Sequence, residues 1–370
     1  MNPVPRRTWL KTLAFGAVVA ASSRPTYARR PSTRAVSPPD VTLRSVRRAF
    51  HNGEHNAFTD LVQFRGKLYL TFRSCPDGHM VHPTSSILVL CSEDGVAWTE
   101  VHRFRIPLRD PRDPHLLVFR DRLFVYTGTW YSGPTTLPPA QYDLNQHLGY
   151  AVWTDNGSAW SAPTMLEGTF GHYIWRAAAH RNRAFLCGRR KPEFEMSGRG
   201  EPATVQSLML ESDDGLIWRQ RAVFQETAGD ETAFLFEPDG SVLGVARSGT
   251  GKEALLLQAP APYRTWTRRP LDRPVGGPLL AHWGRHLLVG GRKTTPDRGP
   301  KTVLSWLVDG HLVDFAELPS GGDTSYPGFV ALSSRHGLVS YYSSHETDTA
   351  GRPITAIYLA ELHLTKSANA

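Results

Sequence analysis

A strand–turn–strand pattern recurs six times along the chain, and few folds accommodate it. Each copy is an apolar run, a tight turn with Gly, Asp, Asn or Arg, and a second apolar run. The copies read LVQF-RG-KLYLTFR (61–73), LLVF-RD-RLFVYTG (116–128), AAAH-RN-RAFLCGR (177–189), FLFE-PDG-SVLGVAR (234–247), LLAHW-GR-HLLVGGR (279–292) and FVAL-SSRHG-LVSYY (329–342). The residue before each turn falls near 64, 119, 180, 237, 283 and 332, in steps of 55, 61, 57, 46 and 49. Two further short apolar runs follow each of the first three copies, for example SILVL (86–90) and AWTEVHRF (97–104). They are fainter in the fourth and fifth. Four strands per copy at this spacing predict an all-β fold, a six-bladed β-propeller over residues 41–364. The sixth copy offers ITAIYLAEL (354–362) but no fourth strand. VTLRSVRRAF (41–50) is expected to supply it, closing the ring by pairing the chain's two ends and leaving no open edge.

The segments outside the repeat read differently. Residues 6–11 are Arg-Arg-Thr-Trp-Leu-Lys, followed by an apolar run from Thr12 to Ala21. That run is too short for a spanning helix, which needs ~20 residues. The pattern predicts a twin-arginine-type secretory leader over 1–28, then an Arg/Pro/Ser-rich linker over 29–40 and a short tail over 365–370. The expected product is an exported protein, periplasmic or extracellular, with no stable membrane insertion. The formal charge of +8 belongs to this region. Residues 1–50 hold ten Lys or Arg and one acid, leaving 32 of 42 basic and 33 of 34 acidic residues beyond them. The basic balance therefore gives no reason to expect a nucleic-acid partner. Three Cys exclude a disulfide framework and are expected as free thiols. Neither clustered zinc-ligand spacing nor a phosphate-binding loop is present, so no metal or cofactor is expected.

Three turns between the third and fourth strands look alike. They read Ser92-Glu93-Asp94-Gly95-Val96-Ala97-Trp98, Thr154-Asp155-Asn156-Gly157-Ser158-Ala159-Trp160 and Ser212-Asp213-Asp214-Gly215-Leu216-Ile217-Trp218. A short oxygen side chain can bond the turn's own backbone, Gly permits a positive φ, and Trp covers the hairpin base. Their acids are read as structural. The turns resemble the Asp-box, or BNR repeat, of sialidases. A fourth, Ala259 to Trp266, keeps only the Trp.

Chain direction places strand-one starts and strand-two ends on the face opposite these turns. Arg73, Arg189, Arg247 and Arg292 close second strands there, a pattern suited to binding a carboxylate. The sialidase resemblance implies an exo-acting glycoside hydrolase for a glycan with an anionic, carboxylated sugar. It maps residue by residue onto Tyr326 as nucleophile, Glu231 as its activating base, and Arg247 and Arg292 as carboxylate ligands. It departs in blade one, where Asn56-Ala57-Phe58-Thr59-Asp60 carries no Arg. Arg73 or Arg176 is the expected replacement. Asp77 is the nearest match to the acid/base, with Asp60 second. Asp113, His55, Tyr342 and His345 complete the expected substrate-binding set. Two alternatives use the same scaffold. One is another carbohydrate-active enzyme, a uronate lyase or a different exo-glycosidase; the other is a non-catalytic glycan- or protein-binding propeller.

Overall fold

The computed structural model describes residues 38–134, 146–192, 204–249 and 251–365. The expected leader, most of the linker and residues 366–370 lie outside them. Among the described residues, 24 strands form six antiparallel four-stranded sheets, as the repeat predicts. Blade one is β2 (His55–Phe64), β3 (Lys67–Cys75), β4 (Ser86–Ser92) and β5 (Thr99–Phe104). Blade two is β6 (Arg109–Phe119), β7 (Arg122–Tyr131), β8 (Leu148–Thr154) and β9 (Thr164–Met165). Blade three is β10 (Tyr173–His180), β11 (Arg183–Arg190), β12 (Gln206–Ser212) and β13 (Arg219–Gln225). Blade four is β14 (Gly229–Phe236), β15 (Val242–Ser248), β16 (Leu255–Ala259) and β17 (Thr267–Pro270). Blade five is β18 (Gly276–Trp283), β19 (His286–Thr295), β20 (Gly299–Val308) and β21 (His311–Glu317).

Blade six is composite: β22 (Thr324–Ala331), β23 (His336–Thr347) and β24 (Pro353–Leu364) are completed by β1 (Val41–Phe50). β1 runs antiparallel to β24, from Val41 opposite Leu364 to Phe50 opposite Ile357. Each innermost strand also packs on the innermost strands of both neighbouring blades, closing the ring. Apolar side chains fill the gaps between blades. Phe124, Tyr126 and Ala151 of blade two, for example, form one buried cluster with Ile174, Leu186 and Leu208 of blade three. Full burial of such side chains stabilises by about 1.5–3 kcal/mol each. Among the described residues no helix is long and apolar enough to cross a membrane. Cys75, Cys91 and Cys187 are all free.

The three similar turns close on themselves. Ser92 Oγ accepts from Gly95 N at 2.8 Å, and Asp94 Oδ1 accepts from Val96 N and Ala97 N at 2.7 and 3.0 Å. Ser212 and Asp214 repeat this with Gly215, Leu216 and Ile217. In the middle copy Thr154 and the Asn156 amide oxygen do the same work. Asp155, expected among the turn's structural acids, pairs instead with Arg122 at 2.7 Å. The glycines at 95, 157 and 215 take φ of 75°, 83° and 84°. Trp98 donates to Gly95 O at 3.1 Å, Trp160 stacks flat on His102, and Trp218 is buried. The fourth, degenerate turn keeps the Trp bond: Trp266 donates to Tyr263 O, with Tyr263 at φ 66° where the others have Gly.

At the opposite end every innermost strand carries a register shift at the same place. The shifts fall at Ala57/Asp60, Arg112/His115, Trp175/Ala177, Gly229/Thr232, Gly276/Leu279 and Ser325/Gly328. Five of the bulged residues adopt a left-handed backbone: Phe58 (65°), Asp113 (47°), Arg176 (36°), Gly277 (59°) and Tyr326 (51°). Such φ values are uncommon for residues with a side chain and concentrate at functional sites. A bulge re-aims the side chain that the pleat would otherwise direct.

Candidate active site

The bulged strands surround a cavity of about 550 Å³. Its walls include Phe58, His79, Arg112, Asp113, Tyr173, Arg189, Asp230, Glu231, Arg247, Arg292, Asp323, Tyr326 and Tyr342. Tyr326 and Glu231 meet in its wall. The Tyr326 phenol donates to Glu231 Oε1. Glu231 Oε2 accepts from Arg247 Nη1 and from Gly277 N, both at 3.1 Å. Burial alone would raise the Glu231 carboxyl. Arg247, the Tyr326 bond, Arg189 and Arg292 outweigh it and hold the group below its ordinary value. Burial, reinforced by the charge on Glu231, holds the phenol far above its ordinary value. The pair is therefore a neutral phenol bonded to a carboxylate that can take its proton.

Gly277 makes this contact possible. A Cβ there would stand 2.7 Å from the Tyr326 ring, and its φ of 59° also favours Gly. The Tyr326 ring is further held by Phe58, Trp175 and Tyr342, with centroids 5.1, 6.0 and 6.0 Å away.

The four cavity guanidiniums differ in their freedom. Arg247 and Arg189 clamp Asp230 from two sides, at 3.2 and 3.3 Å. Arg112 lies over the Phe58 ring at 5.0 Å and donates to His79 O at 2.9 Å. The described hydrogen bond of Arg292 is to the Thr324 carbonyl, at 3.3 Å. Of the four it alone has no described ion pair with a carboxylate.

Asp113 lies at the bulge of β6 and is 5% exposed. Tyr173 donates to its Oδ2, while Oδ1 is buried without a partner. Burial pushes this carboxyl up to about 6, with Glu231 adding to the rise and Arg112 opposing it. On the blade-six side, Asp323 accepts from His55 Nε2 (2.9 Å), His79 Nδ1 (2.7 Å) and Tyr342 Oη (2.8 Å). Burial would raise Asp323. Its bonds from His55, His79 and Tyr342 and the nearby His79 charge prevail and hold it well below the usual carboxylate range. His55, His79 and Asp323 present donor atoms within 4.8 Å of one another, the spacing of a metal site. Their 2.7–2.9 Å separations are those of hydrogen bonds, and Arg112 lies 3.4 Å from His79 Nε2. A neighbouring guanidinium works against a cation there.

Of the residues singled out from sequence, Tyr326, Glu231, Arg247, Arg292, Asp113 and Tyr342 line the cavity. His55 reaches it through Asp323. The others lie elsewhere. Arg73 is fully buried and spends its guanidinium on Asp110 and the carbonyls of Gly78 and Met80. Arg176 binds Asp60 and the carbonyls of Pro278 and Pro327, so neither supplies the blade-one cation. Asp60 also accepts from Leu116 N and lines a separate, smaller cavity. Asp77 is exposed, bonded to Thr84, and outside the cavity lining. His345 bonds Ser343 and packs on Tyr358, also outside it. Arg189, one of the Arg residues expected to close a second strand there, also lines the cavity, while His79, Arg112, Tyr173, Asp230 and Asp323 line it without having been assigned a role from sequence. The six-fold bulge was the missing signal. Aligned on it, Arg112-Asp113-Pro114 takes the place of Ser325-Tyr326-Pro327.

No protein-family model matches the chain, and no curated protein matches it. Solved structures do. A protein of unknown function from Dyadobacter fermentans superposes with a TM-score of 0.72 at 20% identity, covering 89% of this chain and 100% of that one. Trypanosoma rangeli sialidase superposes at 0.61 with 14% identity, over 83% of this chain; the match spans 55% of the trypanosomal protein. The endosialidase of phage phi92 superposes at 0.62 with 10% identity, over 90% of this chain and 70% of that one. The chain therefore has the six-bladed propeller fold that the sialidases use.

Proposed function

We propose that the chain is an exported, sialidase-like exo-glycoside hydrolase that cleaves a terminal carboxylated sugar from a glycan. One observation carries this reading: a neutral, buried Tyr326 hydrogen-bonded to an ionised Glu231 in the wall of a cavity that four Arg also line. A phenol is a poor nucleophile until a neighbouring base takes its proton. Tyr nucleophiles are the known exception among retaining glycosidases. Arg292 and Arg247, beside this pair, suit the sugar carboxylate. Tyr326 Oη attacks the anomeric carbon as its proton passes to Glu231. The glycosidic C–O bond breaks, its electron pair leaves on the aglycone oxygen, and that oxygen takes a proton from solvent. Water then releases the sugar, and Glu231 returns the proton to the phenol. Similarity to sialidase structures supports the fold, and the self-bonded turns, read as Asp-boxes, agree with it. The twin-arginine-like leader supports export to the periplasm or beyond.

The deciding experiment incubates the protein with sialosides, uronides and neutral glycosides and weighs the products. Addition of water to a carboxylated sugar is expected. An unsaturated sugar would indicate a lyase instead, and silence across the panel would leave a binding propeller.

A further inference from the structure

The proposed chemistry depends on two bulges, one that carries Tyr326 and one that brings Gly277 N to Glu231. Each has a left-handed residue followed by a proline, Tyr326-Pro327 and Gly277-Pro278. Proline has no N–H, so its carbonyl is the one backbone group by which it can be held. In both bulges the same side chain takes that carbonyl. Arg176, the bulged residue of blade three, donates from Nε to Pro278 O at 3.2 Å and from Nη2 to Pro327 O at 2.7 Å. The innermost strand of blade three packs on those of blades two and four, so the guanidinium reaches blades five and six through the middle of the ring.

The third arm of the fork goes to blade one, where Asp60 Oδ1 accepts from Arg176 Nη1 at 3.1 Å. Asp60 also accepts from Leu61 N at 3.0 Å and from Leu116 N of blade two at 2.9 Å. A second tie from blade one holds the nucleophile's own carbonyl. Thr59 Oγ1 donates to Tyr326 O at 2.8 Å and accepts from Ser340 Oγ at 2.9 Å. The guanidinium also lies over the Trp175 ring at 4.9 Å, and Trp175 packs on Tyr326. A buried ion pair gives little net stability over apolar side chains of the same volume. A planar fork that aims three donors at fixed angles sets the position of two carbonyls, which an apolar plug does not.

We infer that Arg176, fixed by Asp60, is a positioning residue for the Tyr326–Glu231 pair. The inference rests on the hydrolase reading above. Arg176 is outside the lining of the active-site cavity and acts through the backbone. Its hold on Pro327 sets the bulge that aims the Tyr326 phenol at Glu231 Oε1. Its hold on Pro278 sets the bulge whose Gly277 N donates to Glu231 Oε2. Without the clasp both bulges are free to move, and the phenol–carboxylate bond loosens. That bond is one of the contacts that keep the Glu231 carboxyl below its ordinary value, so loosening it raises the group.

The test measures kcat, KM and melting temperature with the 4-nitrophenyl α-glycoside of sialic acid. It compares wild type, Arg176→Lys, the double variant Asp60→Asn, Arg176→Gln, and Tyr326→Phe, with rates taken well below each melting temperature. Arg176→Lys keeps the charge and loses the fork. A misplacement of about 1 Å in a reacting group can cost about 10²-fold, so kcat should fall by that order. KM should stay near wild type, because Arg247 and Arg292 are untouched. The acidic limb of the kcat–pH profile, where Glu231 gains a proton, should move to higher pH. The double variant removes both buried charges and should show the same split, which keeps the test open where Arg176→Lys fails to fold. A lower melting temperature with kcat, KM and the acidic limb unchanged overturns the inference, as does a rise in KM alone, and either leaves the hydrolase reading standing. Cleavage by Tyr326→Phe at the wild-type rate, or no cleavage by wild type, removes that reading and the inference with it.

Discussion

Both ends of the propeller repeat a backbone feature, but they dispose of their polar groups in opposite ways. At one end, each Trp-bearing turn satisfies its own amides within a few residues, as Asp94 and Asp214 do. At the other end, the bulged strand starts send side chains to partners in other blades. Glu231 of blade four binds Tyr326 of blade six and Gly277 of blade five, and Asp113 of blade two binds Tyr173 of blade three. Local closure lets the same turn be copied from blade to blade. Distant partnership makes a cavity whose members depend on one another, and it leaves atoms such as Asp113 Oδ1 unfilled.

That contrast can be broken most sharply at Tyr326. Tyr326→Phe removes one oxygen from the bulged face and should lower turnover by about 10³-fold or more, with thermal stability close to wild type. Near-normal hydrolysis would detach the bulged face from chemistry. Arg292→Ala comes next. A charge-assisted contact is worth about 1.5–3 kcal/mol, so kcat/KM for a carboxylated substrate should fall ~10–100-fold, with little change for a neutral analogue. Gly277→Ala forces a methyl group against the Tyr326 ring and a left-handed φ onto Ala. It should cost about 1–3 kcal/mol of stability and reduce activity as well, measurable by denaturant melts and initial rates.

Asp113 gives a pH-dependent test. Its carboxyl is raised to about 6, so the folded chain holds this proton more tightly than the unfolded one. Its favourable contribution is complete below about pH 4 and is lost as pH rises through 6. Asp113→Asn keeps the shape and loses the titration. The variant should match wild type near pH 4 and exceed it by about 3 kcal/mol at pH 7.5, while binding substrate worse. A stability gap independent of pH would remove this account. The smallest effect belongs to the other end. Asp214→Ala frees two amides of one turn and should cost about 1–2 kcal/mol with kcat and KM unchanged. Lost activity in that variant would dissolve the distinction between the faces.

The architecture was legible because a strand repeat is a local signal. Turn residues and alternation announce each hairpin, and the orphan strand 41–50 had one place to pair. The cavity was legible where a residue type stands at a strand end and points inward, as Glu231, Arg247, Arg292 and Tyr326 do. Arg73 ends a second strand just as Arg247 does, yet it is sealed against Asp110, a partner 37 residues away. Strand position shows which end of the propeller a side chain occupies, but not whether a distant carboxylate has already claimed it. Nor does it show which of several residues in one loop faces the axis. Asp77 and His79 are two positions apart, and only His79 lines the cavity.

The composite blade ties these properties to the history of the chain. β1 finds its partner β24 more than 300 residues later, so the ring closes only after nearly the whole sequence is present. Non-local pairing of this kind is slow to nucleate, because the intervening chain must first be ordered. Tyr326 belongs to the blade that closes last. A partly synthesised or partly folded chain thus has its other blades but not a finished wall for the cavity. Catalysis, if Tyr326 performs it, is a property that arrives only when the circle is complete.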